Sequence, residues 1–222
     1  MSQHPGLTFL IDTMHVLLGE HGCAWDKEQT HESLIPYLIE ESHELIDAIE
    51  DGSRQDLKEE LGDVLYQVLF HAVLAEGHPS EPFTLDDVAR ATAEKMRTRH
   101  PHVFAGVAVS GVEEIRANWQ ARKAVEKTER TSTFDGIPKS LPPLDRAREL
   151  LERAQKAGLA GQGGGATEPV TSEEVGRALL ETVQRAQASG VDPSAALRAT
   201  LRDLEDGLRL AEASRPATEV KE

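Results

Sequence analysis

Two short acidic segments carry the residues best suited to chemistry. Glu40-Glu41-Ser42-His43-Glu44 and Glu59-Glu60-Leu61-Gly62-Asp63 each hold a carboxylate pair three residues apart. Residues at i and i+3 of a helix share a face, so Glu41 pairs with Glu44 and Glu60 pairs with Asp63. On a helical wheel Glu41 lies about 20–60° from Leu34, Leu38 and Leu45, at the edge of the apolar stripe. Glu60 has the same relation to Leu57 and Val64. Four carboxylates at the seam of two packed helices repel one another and resist desolvation unless a cation sits among them. Hard oxygen donors in that number suit Mg²⁺, with Mn²⁺ as a substitute, better than zinc. One such pair is ordinary on a solvated acidic face; two pairs on consecutive helices favour a metal. Glu40-x-x-His43 also fits the Glu-x-x-His element of di-iron bundles, but the second helix does not repeat it. His43 and His71 read as ordinary core-edge or exposed histidines.

The elements that must position these groups are helices. No period-two run bounded by hairpin turns occurs, and helical periodicity predicts helices near 6–20, 31–51, 54–76, 84–100, 111–128, 143–158, 171–189 and 193–213, an all-α helical bundle. In the second of these, Leu34, Leu38, Leu45 and Ile49 form an apolar stripe, and Pro36 is tolerated near the first turn. Leu57, Leu61, Val64, Leu65, Val68 and Leu69 do the same in the third. Glu50-Asp51-Gly52-Ser53 provides a short turn between them, so the pair is expected to form an antiparallel hairpin.

The 222 residues suit one substantial domain and a small appendage. The net charge of −15 excludes nonspecific nucleic-acid binding, which needs basic surface. Acid and base are segregated: residues 26–63 hold thirteen Asp and Glu against three Lys and Arg, whereas residues 90–130 hold nine of the 24 basic residues. The N-terminal segment has no basic region, and Asp12, His15 and Glu20 interrupt its apolar residues. It reads as neither signal peptide nor membrane span, which predicts a cytoplasmic protein with no membrane partner. The lone Cys23 is given no role.

The chain resembles the MazG family of nucleoside triphosphate pyrophosphohydrolases, within the all-α NTP pyrophosphatase superfamily. The resemblance runs from Gly22-Cys23-Ala24-Trp25-Asp26-Lys27-Glu28-Gln29-Thr30 through the two acidic segments to Arg99-His100-Pro101-His102-Val103-Phe104. Trp119, Lys123 and Ile137-Pro138-Lys139-Ser140-Leu141-Pro142 extend it to about residue 150. It implies Mg²⁺-dependent cleavage of (d)NTPs between the α- and β-phosphates, releasing NMP and pyrophosphate, as nucleotide-pool housecleaning. By family motif Glu41, Glu44, Glu60 and Asp63 become metal ligands, and Glu40 or Glu59 lies near the substrate or attacking water. Lys95, Arg99, Trp119 and Lys123 become nucleotide contacts, joined by Trp25 and Lys27; either tryptophan offers a face to a base. The family also implies a homodimer. A non-hydrolysing nucleotide sensor and a di-iron bundle are the competing functions.

A catalytic domain is expected over residues 1–130, a linker over 131–142, and a degenerate, shortened second repeat over 143–222 with a glycine-rich segment at 158–169. Seven residues from Arg90 to Met96 echo Arg198 to Leu204. The tail has no Glu-x-x-Glu followed by Glu-x-x-Asp, since Thr171-Ser172-Glu173-Glu174-Val175 leads to no matching partner helix. It is therefore expected to be non-catalytic.

Overall fold

A computed structural model of the chain describes residues 4–126, 130–159 and 169–215. Among them are ten helices and no strand: α1 (Pro5–Leu18), α2 (Ala24–Lys27), α3 (Ile35–Glu50), α4 (Arg54–Glu76), α5 (Leu85–Arg99), α6 (Pro101–Phe104), α7 (Val112–Val125), α8 (Pro143–Lys156), α9 (Ser172–Ala188) and α10 (Pro193–Ala213). The fold is all-α, as periodicity predicts. Most of the glycine-rich segment lies outside the described residues.

Local chemistry sets the boundaries. The Ser53 hydroxyl accepts from the backbone of Gln55 and Asp56 while the Asp56 carboxylate accepts from the Ser53 N–H at 2.7 Å, a capping box that starts α4. Thr84 with Asp87 starts α5 in the same way, and Thr171 with Glu174 starts α9. By contrast α3 begins at Ile35, later than periodicity predicts. The Thr30 N–H donates to the Ser33 hydroxyl at 2.9 Å and the Ser33 N–H returns to the Thr30 hydroxyl at 3.2 Å, so these side chains hold a turn against helix.

The chain divides into two compact units, Met1–Arg122 and Lys123–Glu222. In the first, α3 and α4 form the expected antiparallel hairpin, with α1 and α5 packed on α4. Its fully buried core is Met14, Leu34, Leu69 and Phe70, ringed by Leu10, Ile11, Leu17, Tyr66 and Val73. The predicted stripes behave differently from expectation. Leu34 and Leu69 are buried, but Ile49 is 64% exposed, Leu61 53% and Val68 43%, with Ile39, Ile46 and Leu65 also open. Periodicity identifies an apolar face without saying what covers it; the α3–α4 seam is partly polar, and much of the apolar surface of the hairpin turns outward.

In the second unit α8 and α10 pack around Leu150, Ala154, Leu201 and Leu208. Phe134 and Ile137, within the segment expected as a linker, are buried in the same core. Arg146 is 7% exposed and donates to Glu205 at 2.5 Å. Arg209 joins Glu205 to Asp135 at 2.8 Å to each. No residue of α9 is buried. Among the described residues, no helix is long and apolar enough to cross a membrane.

Candidate metal centre

The hairpin brings together Glu41 from α3 and Glu60 and Asp63 from α4. Each offers a carboxylate oxygen, and these atoms lie within 4.8 Å of one another. Glu41 and Glu60 are half-buried and Asp63 is exposed. The Glu60 Oε2 atom is buried with no hydrogen-bond partner, an arrangement that points to a missing positive or donor group.

Electrostatics give the same account. Burial, and then the charges of Asp63, Glu44, Glu60 and Glu40, push the Glu41 carboxyl above the ordinary glutamate range. Burial, followed by Glu44, Asp63, Glu59 and Asp56, does the same to Glu60. A carboxyl raised chiefly by desolvation and like charge is one whose ionised form lacks compensation. Three hard oxygens in reach of one point, with no His or Cys among them, could hold a hard divalent cation.

The other expected site residues fall around this group. Glu44 is exposed and outside the trio, yet its charge acts on both Glu41 and Glu60. It lines an open cleft towards the turn with Asp47, Ala48, Asp51, Gly52, Asp56 and Glu60. Glu40 and Glu59 flank the trio, exposed. Glu40-x-x-His43 does not join it. Trp25 is 50% exposed and meets Tyr37 edge-on, with ring centroids 5.9 Å apart at 80°. The Lys27 ammonium donates to the Glu20 carbonyl at 2.9 Å. On α5 Lys95 is exposed, whereas Arg99 is 8% exposed with its guanidinium 5.1 Å from the Trp119 ring centre. Trp119 also meets His100 edge-on at 5.0 Å, so it is a packed ring where Trp25 is an open one. Lys123 falls in the second unit.

Three features escaped the sequence reading. Tyr37 lies four residues before Glu41. Gln67, four residues after Asp63, is 4% exposed and its Oε1 has no partner. His71 meets His31 with their Nδ1 atoms 2.8 Å apart and their rings stacked. One ring must donate and the other accept, so at least one is neutral; burial and then His31 depress the His71 pKa. Helical spacing from the carboxylates was the available signal for Tyr37 and Gln67.

The second unit reproduces part of this sequence. Glu173-Glu174-Val175-Gly176-Arg177 on α9 parallels Glu59-Glu60-Leu61-Gly62-Asp63 on α4, with Arg177 at the Asp63 position. Its guanidinium pairs with Glu173 at 2.5 Å.

The chain is thus an all-α protein whose central hairpin gathers carboxylate oxygens that could hold a metal ion. Comparison narrows the class to a family. The MazG nucleotide pyrophosphohydrolase domain matches residues 29–104, covering α3 to α6. An uncharacterised 26.1 kDa protein of Streptomyces cacaoi is 45% identical over 86% of this chain and 76% of its own length. A nucleoside triphosphate pyrophosphohydrolase of Mycobacterium tuberculosis is 43% identical over 85% of the chain, which spans 53% of that relative. The nucleoside triphosphate pyrophosphohydrolase/pyrophosphatase MazG of Thermotoga maritima is 37% identical over 90% of the chain and 84% of its own length. The chain belongs to the MazG family.

Proposed function

We propose that the chain is a nucleoside triphosphate pyrophosphohydrolase that cleaves (d)NTPs between the α- and β-phosphates to NMP and pyrophosphate, with Mg²⁺, in cytoplasmic nucleotide housecleaning. The convergence of Glu41, Glu60 and Asp63 carries this reading, supported by family membership. Those three residues hold the cation, and Glu44 completes the acidic set. Held there, a divalent ion would supply neutralising charge to the phosphates and favour ionisation of the attacking water. Glu40 or Glu59, exposed beside the trio, accepts the water's proton. Lys95, Arg99 and Lys123 are the candidate phosphate contacts, and Lys27, Trp25 and Trp119 complete the nucleotide set.

The apolar face left open by Ile39, Ile46, Ile49, Leu61, Leu65 and Val68 supports a homodimer through α3 and α4. Gly62 fits that role, because a Cβ placed there meets nothing within 4 Å. The second unit is a degenerate, non-catalytic repeat, since Arg177 replaces a carboxylate ligand. Incubation with a panel of canonical, deoxy, uracil-containing and oxidised NTPs and Mg²⁺, with separate detection of pyrophosphate and orthophosphate, tests the activity. Pyrophosphate and NMP in equal amounts are expected. Nucleotide binding without pyrophosphate from any substrate leaves the sensor function instead.

A further inference from the structure

We infer that Tyr37, with Trp25 at its edge, forms a platform on which the nucleobase of the substrate stacks. The inference rests on the pyrophosphohydrolase reading and extends it to a residue outside the predicted site. Tyr37 precedes Glu41 by four residues on α3, so the two side chains lie about 40° apart on one face, separated by about 6 Å of helical rise. Glu44 continues the same face on the other side. A ligand anchored at the carboxylates by its phosphates thus finds an aromatic ring one turn away.

The exposure of the pair argues for a ligand. Trp25 is 50% and Tyr37 38% exposed, and they meet at 5.9 Å in an edge-on arrangement. Two adjoining, part-exposed aromatic side chains are suited to stacking on a flat ring. Trp119 lacks this freedom, occupied by the Arg99 guanidinium on its face and the His100 ring.

The direction follows from charge. Towards the α3–α4 turn, the cleft beside the metal centre is lined by Glu44, Asp47, Asp51, Asp56 and Glu60. Nothing apolar and flat is offered there. In the opposite direction along α3 stands Tyr37. At that end of the hairpin α4 carries Gln67, 4% exposed with an unpaired carbonyl oxygen. Glu60 and Gln67 are seven residues apart, about 20° from eclipsed on the wheel. Their two orphaned oxygens therefore mark one line leading from the carboxylates towards the level of Tyr37. Buried acceptors without partners are few in native proteins; the cation would answer the Glu60 oxygen, and a donor on the sugar or base of the substrate would answer that of Gln67.

Equilibrium binding of two probes, each with Mg²⁺, tests the platform: a non-hydrolysable α,β-methylene NTP analogue, which carries a base, and inorganic tripolyphosphate, which does not. Calorimetry on wild type, Tyr37→Phe and Tyr37→Leu gives the comparison. Loss of one base–aromatic stack corresponds to about a five- to 150-fold change in affinity. Tyr37→Leu is expected to weaken the analogue within that range and leave tripolyphosphate unchanged, whereas Tyr37→Phe binds both as wild type does. Equal binding of the analogue by Tyr37→Leu and wild type overturns the platform. So does equal weakening of both probes, which is the mark of a structural role. Wild-type protein that binds neither probe removes the pyrophosphohydrolase reading, and the platform with it.

Discussion

Replacing Glu41 by Gln tests the metal centre through stability, without relying on turnover. Glu41 and Asp63 present oxygens within 4.8 Å, a separation at which two like charges repel by about 0.9 kcal/mol even in a water-like dielectric. Removing one charge from this pair is expected to raise the stability of the metal-free protein by about that amount, screened further by salt. The same change removes a ligand oxygen's charge. In the wild type, Mg²⁺ at 100 times its dissociation constant adds about 2.7 kcal/mol. For a chain of this size that is about 5–11 °C in Tm. Thermal melts followed by far-UV circular dichroism, in chelator and in Mg²⁺, with wild type and Glu41→Gln side by side, read both effects. The variant starts higher and gains little from Mg²⁺. A Glu41→Gln protein that starts lower than wild type, or that gains the same Mg²⁺ increment, refutes the reasoning.

In turnover, Glu41→Gln and Asp63→Asn are each expected to reduce pyrophosphate release by orders of magnitude with the helical spectrum retained, while Glu173→Gln has little effect. Arg177→Asp restores the acidic motif on α9, yet in a Glu41→Gln background it leaves turnover lost, because Glu149 and Glu152, the Glu-x-x-Glu pair on α8, are already engaged by Arg153 and Arg148; recovered pyrophosphate release contradicts this. His71 has a pKa depressed below 6.5 by burial, so the unfolded chain takes up its proton first and the native state loses stability as pH falls below about 6.5. Denaturant titrations at pH 7.5 and 5.5 are expected to show a smaller loss for His71→Gln than for wild type. Asp135 is depressed to about 2, first by the hydrogen bond from Arg209. Its contribution is complete above the unfolded value of 3.8 and is lost as pH falls towards 2; Asp135→Asn accordingly removes that part of the acid sensitivity, measured as the shift in an acid-unfolding midpoint.

Helix positions were legible because the apolar period, the caps and the breakers agree. Ser53 with Asp56 and Thr171 with Glu174 are capping boxes that can be read as written. The short helices α2 and α6 were missed because four residues, as in Ala24–Lys27 and Pro101–Phe104, complete scarcely one turn of the period. Glu41, Glu60 and Asp63 were legible since i, i+3 spacing and an antiparallel turn suffice to bring three carboxylates to one seam. The orientation of the hairpin was not. A stripe through Leu61, Leu65 and Val68 has the same period whether it meets α1, a second chain or water, and the structure leaves it open. Tyr37 and Gln67 stayed hidden for the opposite reason: an aromatic residue in a helix and a glutamine on an apolar helix both have ordinary packing roles, and only exposure in the first and an unpaired buried oxygen in the second set them apart.

The two units show what a carboxylate seam demands of its helices. In α4, Glu60 and Asp63 face Glu41, and the repulsion among them opposes hairpin closure in the absence of a cation. The hairpin is held instead by the core of Met14, Leu34, Leu69 and Phe70, beyond the acidic group. A site built this way is poised for metal, with its elements fixed elsewhere and its charges left to the ion. In α9 the Asp63 position is Arg177, whose pairing with Glu173 supplies a positive charge within the helix itself. No cation is then required at Glu173. Loss of the ligand is thus matched by an internal ion pair, and under the proposed function hydrolysis by this chain rests on the seam between α3 and α4.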